Sequence, residues 1–154
     1  MSHHHNTSSA VKPSERLYNR RLRQTHFVQA VDKLWKTAFA SRPNLTYLCR
    51  AVAQSPAPQF YVSPKHALEQ YNLWLSTGTV RTACPYTRQM YLDIFTRFQA
   101  RYDRQGGIDF KYSVMQDILE QPAPSFYINP SAARAFYYRA LAEKRKRNKA
   151  RKQL

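Results

Sequence analysis

The sequence predicts an all-α protein with two tandem tri-helical units of helix-turn-helix type, flanked by basic arms. Three observations carry that expectation. Residues 56–75 (PAPQFYVSPKHALEQYNLWL) recur as residues 122–141 (PAPSFYINPSAARAFYYRAL), an ungapped repeat with nine of 20 positions identical at an offset of 66. In both copies a capping residue followed by proline marks a helix start at the same place. The chain of 154 residues also carries 25 basic against nine acidic side chains, a net charge of +16, with basic runs near both ends.

The elements follow in order. Residues 1–13 are polar and unpatterned, and a solvated, disordered tail is expected there; His3, His4 and His5 are too isolated to hold a metal. Ser14 before Glu15 opens a first helix that meets no Gly or Pro until after Ser41. Leu17, Phe27, Val31, Leu34, Trp35, Ala38 and Phe39 give its second half an apolar face, while its first half is strongly basic and suits an arm that orders on binding. Pro43 stops it. Asn44 caps a short second helix that buries Leu45, Leu48, Cys49 and Val52. The prolines of PAPQFYV hold the next stretch extended. Ser63-Pro64 restarts the chain as a third helix, which Gly78 closes after Thr77.

Residues 78–86 are the expected linker, and residues 87–142 the second unit. Ile94, Phe98 and Tyr102 align with Val31, Trp35 and Phe39 at an offset of 63, which places three extra residues around Gly106-Gly107-Ile108. Phe110 to Gln121 supplies the short second helix, and Asn129-Pro130 restarts the third with the other preferred cap. No Gly or Pro follows, so this helix runs on toward a basic extension over residues 143–154. Each unit of roughly 60 residues is near the lower limit for an independent core, so the halves are expected to pack on one another or share a helix. Ala67, Tyr71 and Leu75, with Ala133, Tyr137 and Leu141, form the expected buried stripe of each third helix. Phe60 and Phe126 are expected to be buried against their own unit's third helix, with Tyr61 and Tyr127 half-buried and their hydroxyls on backbone groups. In architecture alone the arrangement resembles tandem Myb-type repeats. The regularly spaced tryptophans are missing, and the turn is longer than the usual three to four residues.

Function is read from charge and from what is missing. The excess of Lys and Arg favours a polyanionic partner. No apolar run is long enough to cross a membrane, and the first residues lack the apolar stretch of a secretory signal. Cys49 and Cys84 stand outside any CxxC spacing, consistent with free thiols in a reducing intracellular compartment, cytoplasm or nucleoid, or nucleus in a eukaryote. His26 and His66 lack ligand-spaced partners, three glycines cannot build a phosphate loop, and Asp103, Asp109 and Asp117 fall on different elements. No catalytic, cofactor or metal site is expected.

The expected function is therefore non-enzymatic binding of nucleic acid, with duplex DNA favoured over RNA because capped third helices suit a major groove. The candidate contacts are Arg16, Arg20, Arg21 and Arg23 in the first helix, and Lys65, His66 and Gln70 in the first unit's third helix. In the second unit's third helix they are Arg134 and Arg139. Lys144, Arg145, Lys146, Arg147, Lys149, Arg151 and Lys152 supply the extension. Without residues 143–154 the chain holds 18 basic and eight acidic residues, so the body is itself basic. The alternative is a structural or assembly protein, nucleoprotein-, virion- or ribosome-associated, whose repeats bind protein and whose charge meets an acidic protein surface.

Overall fold

The computed structural model describes residues 13–38, 43–104 and 110–153. The described residues form six α-helices: α1 (Pro13–Thr37), α2 (Leu45–Ala53), α3 (Pro64–Thr77), α4 (Pro85–Arg104), α5 (Lys111–Glu120) and α6 (Ala133–Lys152). The expected tail over residues 1–12, the Gly106-Gly107-Ile108 segment, Phe39 and Asp109 lie outside them.

Local chemistry sets the helix ends. The Asn44 side chain accepts from the Tyr47 N–H and opens α2. Ser63 does the same for His66 with Pro64 at the first helical position, and Gly78, at φ 72°, closes α3 in a left-handed conformation that costs glycine nothing. In the second copy Asn129 accepts from Ser131 N–H instead, and the helix begins with a 3-10 turn over Pro130–Ala132 before α6 proper.

The helices group differently from their order in the chain. α1 and α2 pack with α6, and α3 packs with α4 and α5; the sequence neighbours α2 and α3 do not pack together. Each three-helix bundle thus takes its third helix from the other repeat. The core contacts show it directly. Phe27 of α1 meets Phe136 of α6 edge-to-face at 5.1 Å. Tyr71 of α3 meets Phe98 of α4 at 4.8 Å, and Trp74 stacks on Phe95 at 5.2 Å. Two self-contained tandem units are therefore not what forms; of the expectations, sharing of helices between the halves is the one realised.

The turn explains the exchange. A helix-turn-helix needs a tight reversal, commonly at a glycine. PAPQFYV and PAPSFYI contain two prolines each and no glycine, so each copy stays extended and carries its third helix away from its own first two. The two extended turns meet and pair. Ala57 and Ala123 exchange both backbone hydrogen bonds at 2.9 Å, a single antiparallel bridge. On either side Phe60 stacks with Tyr127 and Tyr61 with Phe126, at 6.1 and 6.3 Å. These pairings are reciprocal, as in an isologous dimer interface. The protein is in effect a helix-exchanged dimer of the repeat within one chain.

Burial follows the same approximate two-fold symmetry. Leu48, Cys49, Val52 and Ala53 of α2 correspond at an offset of 66 to Val114, Met115, Ile118 and Leu119 of α5, and all eight are buried. For the first helices, Gln24, Phe27 and Val31 match Tyr91, Ile94 and Phe98, an offset of 67. The offset of 63 pairs Trp35, 43% exposed, with Phe98, which is fully buried, and is corrected accordingly. Leu75 also departs from expectation at 57% exposure, whereas Ala67 and Tyr71 are buried and Trp74 stacks on Phe95 of α4.

The symmetry breaks at one backbone position. Tyr127 has φ 55°, a left-handed conformation that disfavours an aromatic residue, whereas Tyr61 does not. The Tyr127 ring is buried and its hydroxyl donates to Asp93 of α4. Tyr61 is half-buried and its hydroxyl lies 2.6 Å from His26 Nδ1. Both hydroxyls thus find side chains rather than the expected backbone groups.

The His26 contact has a pH consequence. His26 Nδ1 and the Tyr61 hydroxyl share a hydrogen bond, and burial lowers the pKa of His26 below its ordinary value. A depressed folded-state pKa means full stability above the unfolded value, lost as pH falls through the folded one. The thermal midpoint is expected to fall on acidification below the ordinary imidazole value of about 6.5, and His26→Gln to shrink that fall. An equal fall in wild type and variant, read by calorimetry, would place the titrating groups elsewhere.

Candidate nucleic-acid interface

The exchange decides where the basic residues go. Because α6 docks on α1, the start of the basic extension of α6 comes to α1 despite their separation in sequence. Arg20 of α1 pairs with Glu143 of α6, and Gln24 donates to the same carboxylate. These contacts hold Glu143 below the usual carboxylate range, the Gln24 hydrogen bond acting most strongly. Lys144 and Arg147 lie beside Gln24, Thr25 and Asp32 along the α1–α6 groove. Lys144, Arg145, Lys146, Lys149, Arg151 and Lys152 are exposed along the rest of α6, and Arg21 is exposed on α1.

Arg23 sits deeper. Its guanidinium donates to the carbonyls of Phe126 and Tyr127 at 2.7 and 3.0 Å and lies over the Phe136 ring. Burial lowers its pKa from the ordinary arginine value, though Tyr61 and Cys84 oppose this. Arg23 therefore fixes the second turn to α1 as much as it offers charge. Its partners are carbonyls and a ring, and among the described residues no carboxylate pairs with it.

The seam between the bundles opens into a cavity of about 590 Å³. Arg16, Arg20 and Arg139 are the exposed residues at its edge; Arg23 and His66 are half-buried within it. Phe60, Tyr91, Phe126 and Tyr127 are its buried aromatic lining, with Gln59, Gln24 and Tyr61 beside them. Among the described residues no carboxylate lines it. Desolvation lowers the pKa of His66, Arg16 lowers it further, and Glu69 partly offsets them. A second groove of similar volume adjoins it beneath α1, lined by Tyr18, Leu22, Lys65, Tyr112 and Leu119.

The structure thus gathers Arg16, Arg20, Arg23, His66 and Arg139 at one cavity and sets Lys65 in the adjoining groove. Arg134 is elsewhere. It faces α2, donates to Thr46 Oγ1 and covers the Tyr138 ring. Gln70 lies on α3 and lines neither cavity. The two third helices accordingly do not present equivalent side chains to one surface. Asn19, Gln24 and Gln59, which line the cavity, were not candidates from the sequence; they come from α1 and the first turn.

Among the described residues no helix is long and apolar enough to cross a membrane, and no three His, Cys, Asp or Glu side chains gather as a metal site. No protein-family model, curated protein or solved structure matches the chain.

Proposed function

We propose that the protein is a non-enzymatic nucleic-acid-binding protein whose contact surface is the joined basic face of α1 and α6. The observation that supports this reading is the docking of α6 on α1, which joins the basic helix to the start of the basic extension through Arg20 and Glu143. α6 spans 20 residues, a rod of about 30 Å, and its exposed cations recur along that length. A surface of that extent suits the evenly spaced phosphates of a polymer better than a single small anion. Duplex DNA is the expected form, since a basic helix of this length fits the major groove.

Salt titration tests the reading. Exchanging Lys149, Arg151 and Lys152 for Gln removes charge beyond the last α1 contact while leaving Glu143 in place. The variant is expected to keep its melting temperature and to bind every duplex sequence more weakly by about the same factor. Each lost phosphate contact should flatten the slope of log affinity against log salt by ~0.9, so by roughly 2–3 in total. An unchanged slope on duplex DNA, single strands and RNA would refute the assignment.

One observation favours a second reading, assembly with another protein. Tyr18 and Tyr112, at 65% and 55% exposure, flank the groove that also contains Leu22 and Leu119. Exposed aromatics beside an apolar trough suit a protein partner. Tyr18→Ser with Tyr112→Ser would then abolish partner capture while leaving nucleic-acid affinity unchanged.

A further inference from the structure

The seam cavity differs in chemistry from the α6 surface. The α6 surface is a convex row of cations, whereas the cavity is concave and graded from apolar to charged. Its inner lining is aromatic and amide, and its edge is guanidinium. Its volume of about 590 Å³ falls within the range of about 300–1,000 Å³ that small-molecule sites occupy.

Three features point to a ligand with a flat polar ring and an attached anion. Gln24 is only 4% exposed, and its Oε1 has no hydrogen-bond partner among the described residues. Its amide nitrogen is committed to Glu143, which leaves an acceptor wanting a donor, as the edge of a heterocycle provides. Arg23 is a desolvated cation balanced by carbonyls and a ring, with no carboxylate. Such a charge favours an incoming anion. Arg16 and Arg139 stand exposed at the edge, on different helices, and neither has an ion-pair partner among the described residues.

We propose that this cavity binds one nucleoside 5′-phosphate, with the base against the aromatic and amide lining and the phosphate on Arg16 and Arg139. The proposal deepens the nucleic-acid reading by assigning one nucleotide-sized site to it. The ligand is either a free nucleotide or the phosphorylated end of a strand, and both present the same chemistry to the cavity. Guanidinium pairs bind phosphate through charge-assisted, often bidentate hydrogen bonds, so loss of both should be severe.

The test is equilibrium binding to the full-length protein. The probes are adenosine 5′-monophosphate, adenosine, inorganic phosphate, and a short single strand with or without a 5′-phosphate. The proposal expects saturable binding of one equivalent of the monophosphate or of the 5′-phosphorylated strand. Adenosine, phosphate and the unphosphorylated strand should each bind at least about tenfold more weakly. Arg16→Gln with Arg139→Gln should weaken binding by at least about tenfold with an unchanged melting temperature. Lys36→Gln with Arg50→Gln, the same charge change on other surfaces, should not weaken it. Monophosphate binding without strand binding identifies the free nucleotide as ligand; preference for the phosphorylated strand identifies the strand end. If neither binds saturably, or if both double variants weaken binding equally, the cavity assignment is overturned. Duplex binding measured on the same samples keeps the two readings apart. A duplex-binding protein with no nucleotide site loses only this proposal, and a nucleotide-binding protein with no affinity for polymers loses only the α6 surface.

Discussion

Replacing Phe126 by Ala is expected to cost about 3–5 kcal/mol of stability, and Phe60→Ala a similar amount. Both rings are 2% exposed, although neither sits where the repeat alone would place it. Phe126 lies edge-to-face on Phe27 of α1 at 5.5 Å and stacks on Tyr61. Phe60 stacks on Tyr127 and lies under the Arg97 guanidinium, while its N–H donates to the Leu119 carbonyl of α5. Phe126 thus joins its turn to α1, and Phe60 joins its turn to α4 and α5, in each case helices of the other repeat. Truncation leaves a cavity at the seam of both bundles, so a single transition should shift as a whole rather than split in two. Tyr138→Ala, at a half-exposed position on α6, should change stability by no more than ~0.5 kcal/mol. Denaturant unfolding checks this; a loss below about 1 kcal/mol for Phe126→Ala would place the ring outside the core.

Cutting the chain in the linker should have a larger effect still. Residues 13–80 hold α1, α2 and α3, yet α3 has its packing partners in α4 and α5. Alone, this piece buries neither the Phe27 face of α1 nor the Tyr71 face of α3 in the observed way. It is expected to be largely unfolded as a monomer, or to pair with a second copy by exchanging third helices between chains. Residues 81–154 should behave alike. Mixing the two pieces should restore the helical circular dichroism of the intact protein. A cooperative melt for either monomeric piece, near that of the whole chain, would show that each repeat folds on its own third helix.

Much of the local structure was legible in the sequence. Asn44, Ser63 and Gly78 mark helix ends because capping and left-handed closure are decided by nearest neighbours. The buried face of α2 was legible from its spacing, and that of α5 is its image at an offset of 66. Which bundle receives each third helix was not legible, and the reason is the repeat itself. Both bundles are built from similar faces, so Ala67 and Tyr71 serve the α4–α5 pair as Ala133 and Phe136 serve α1 and α2. Own-unit and exchanged packing bury the same stripe. The deciding feature was the proline-rich turn without glycine, whose stiffness the sequence displayed and whose pairing with its copy it did not. Trp35 and Leu75 satisfied helical periodicity and are nevertheless exposed, while their neighbours Leu34 and Trp74 pack against the core.

The site divides in the same way. Charge density singled out Arg16, Arg20 and the α6 extension, but only the docking of α6 on α1 brings Arg20 to the start of that extension at Glu143. Gln24 and Gln59 carry no charge and no motif, and they enter the cavity through the third dimension alone. Arg134 has the composition of a contact residue, yet Thr46 and Tyr138 occupy it.

The exchange of third helices underlies the core, the cavity and the α1–α6 contact together. The most direct measurement is a nuclear Overhauser spectrum of the aromatic rings in the full-length protein. Strong cross-peaks are expected between Phe27 and Phe136, whose ring centroids lie 5.1 Å apart, and between Tyr71 and Phe98, at 4.8 Å. Cross-peaks from Phe27 to Tyr71, and from Phe98 to Phe136, in place of these would show each third helix packed within its own repeat and would contradict the account.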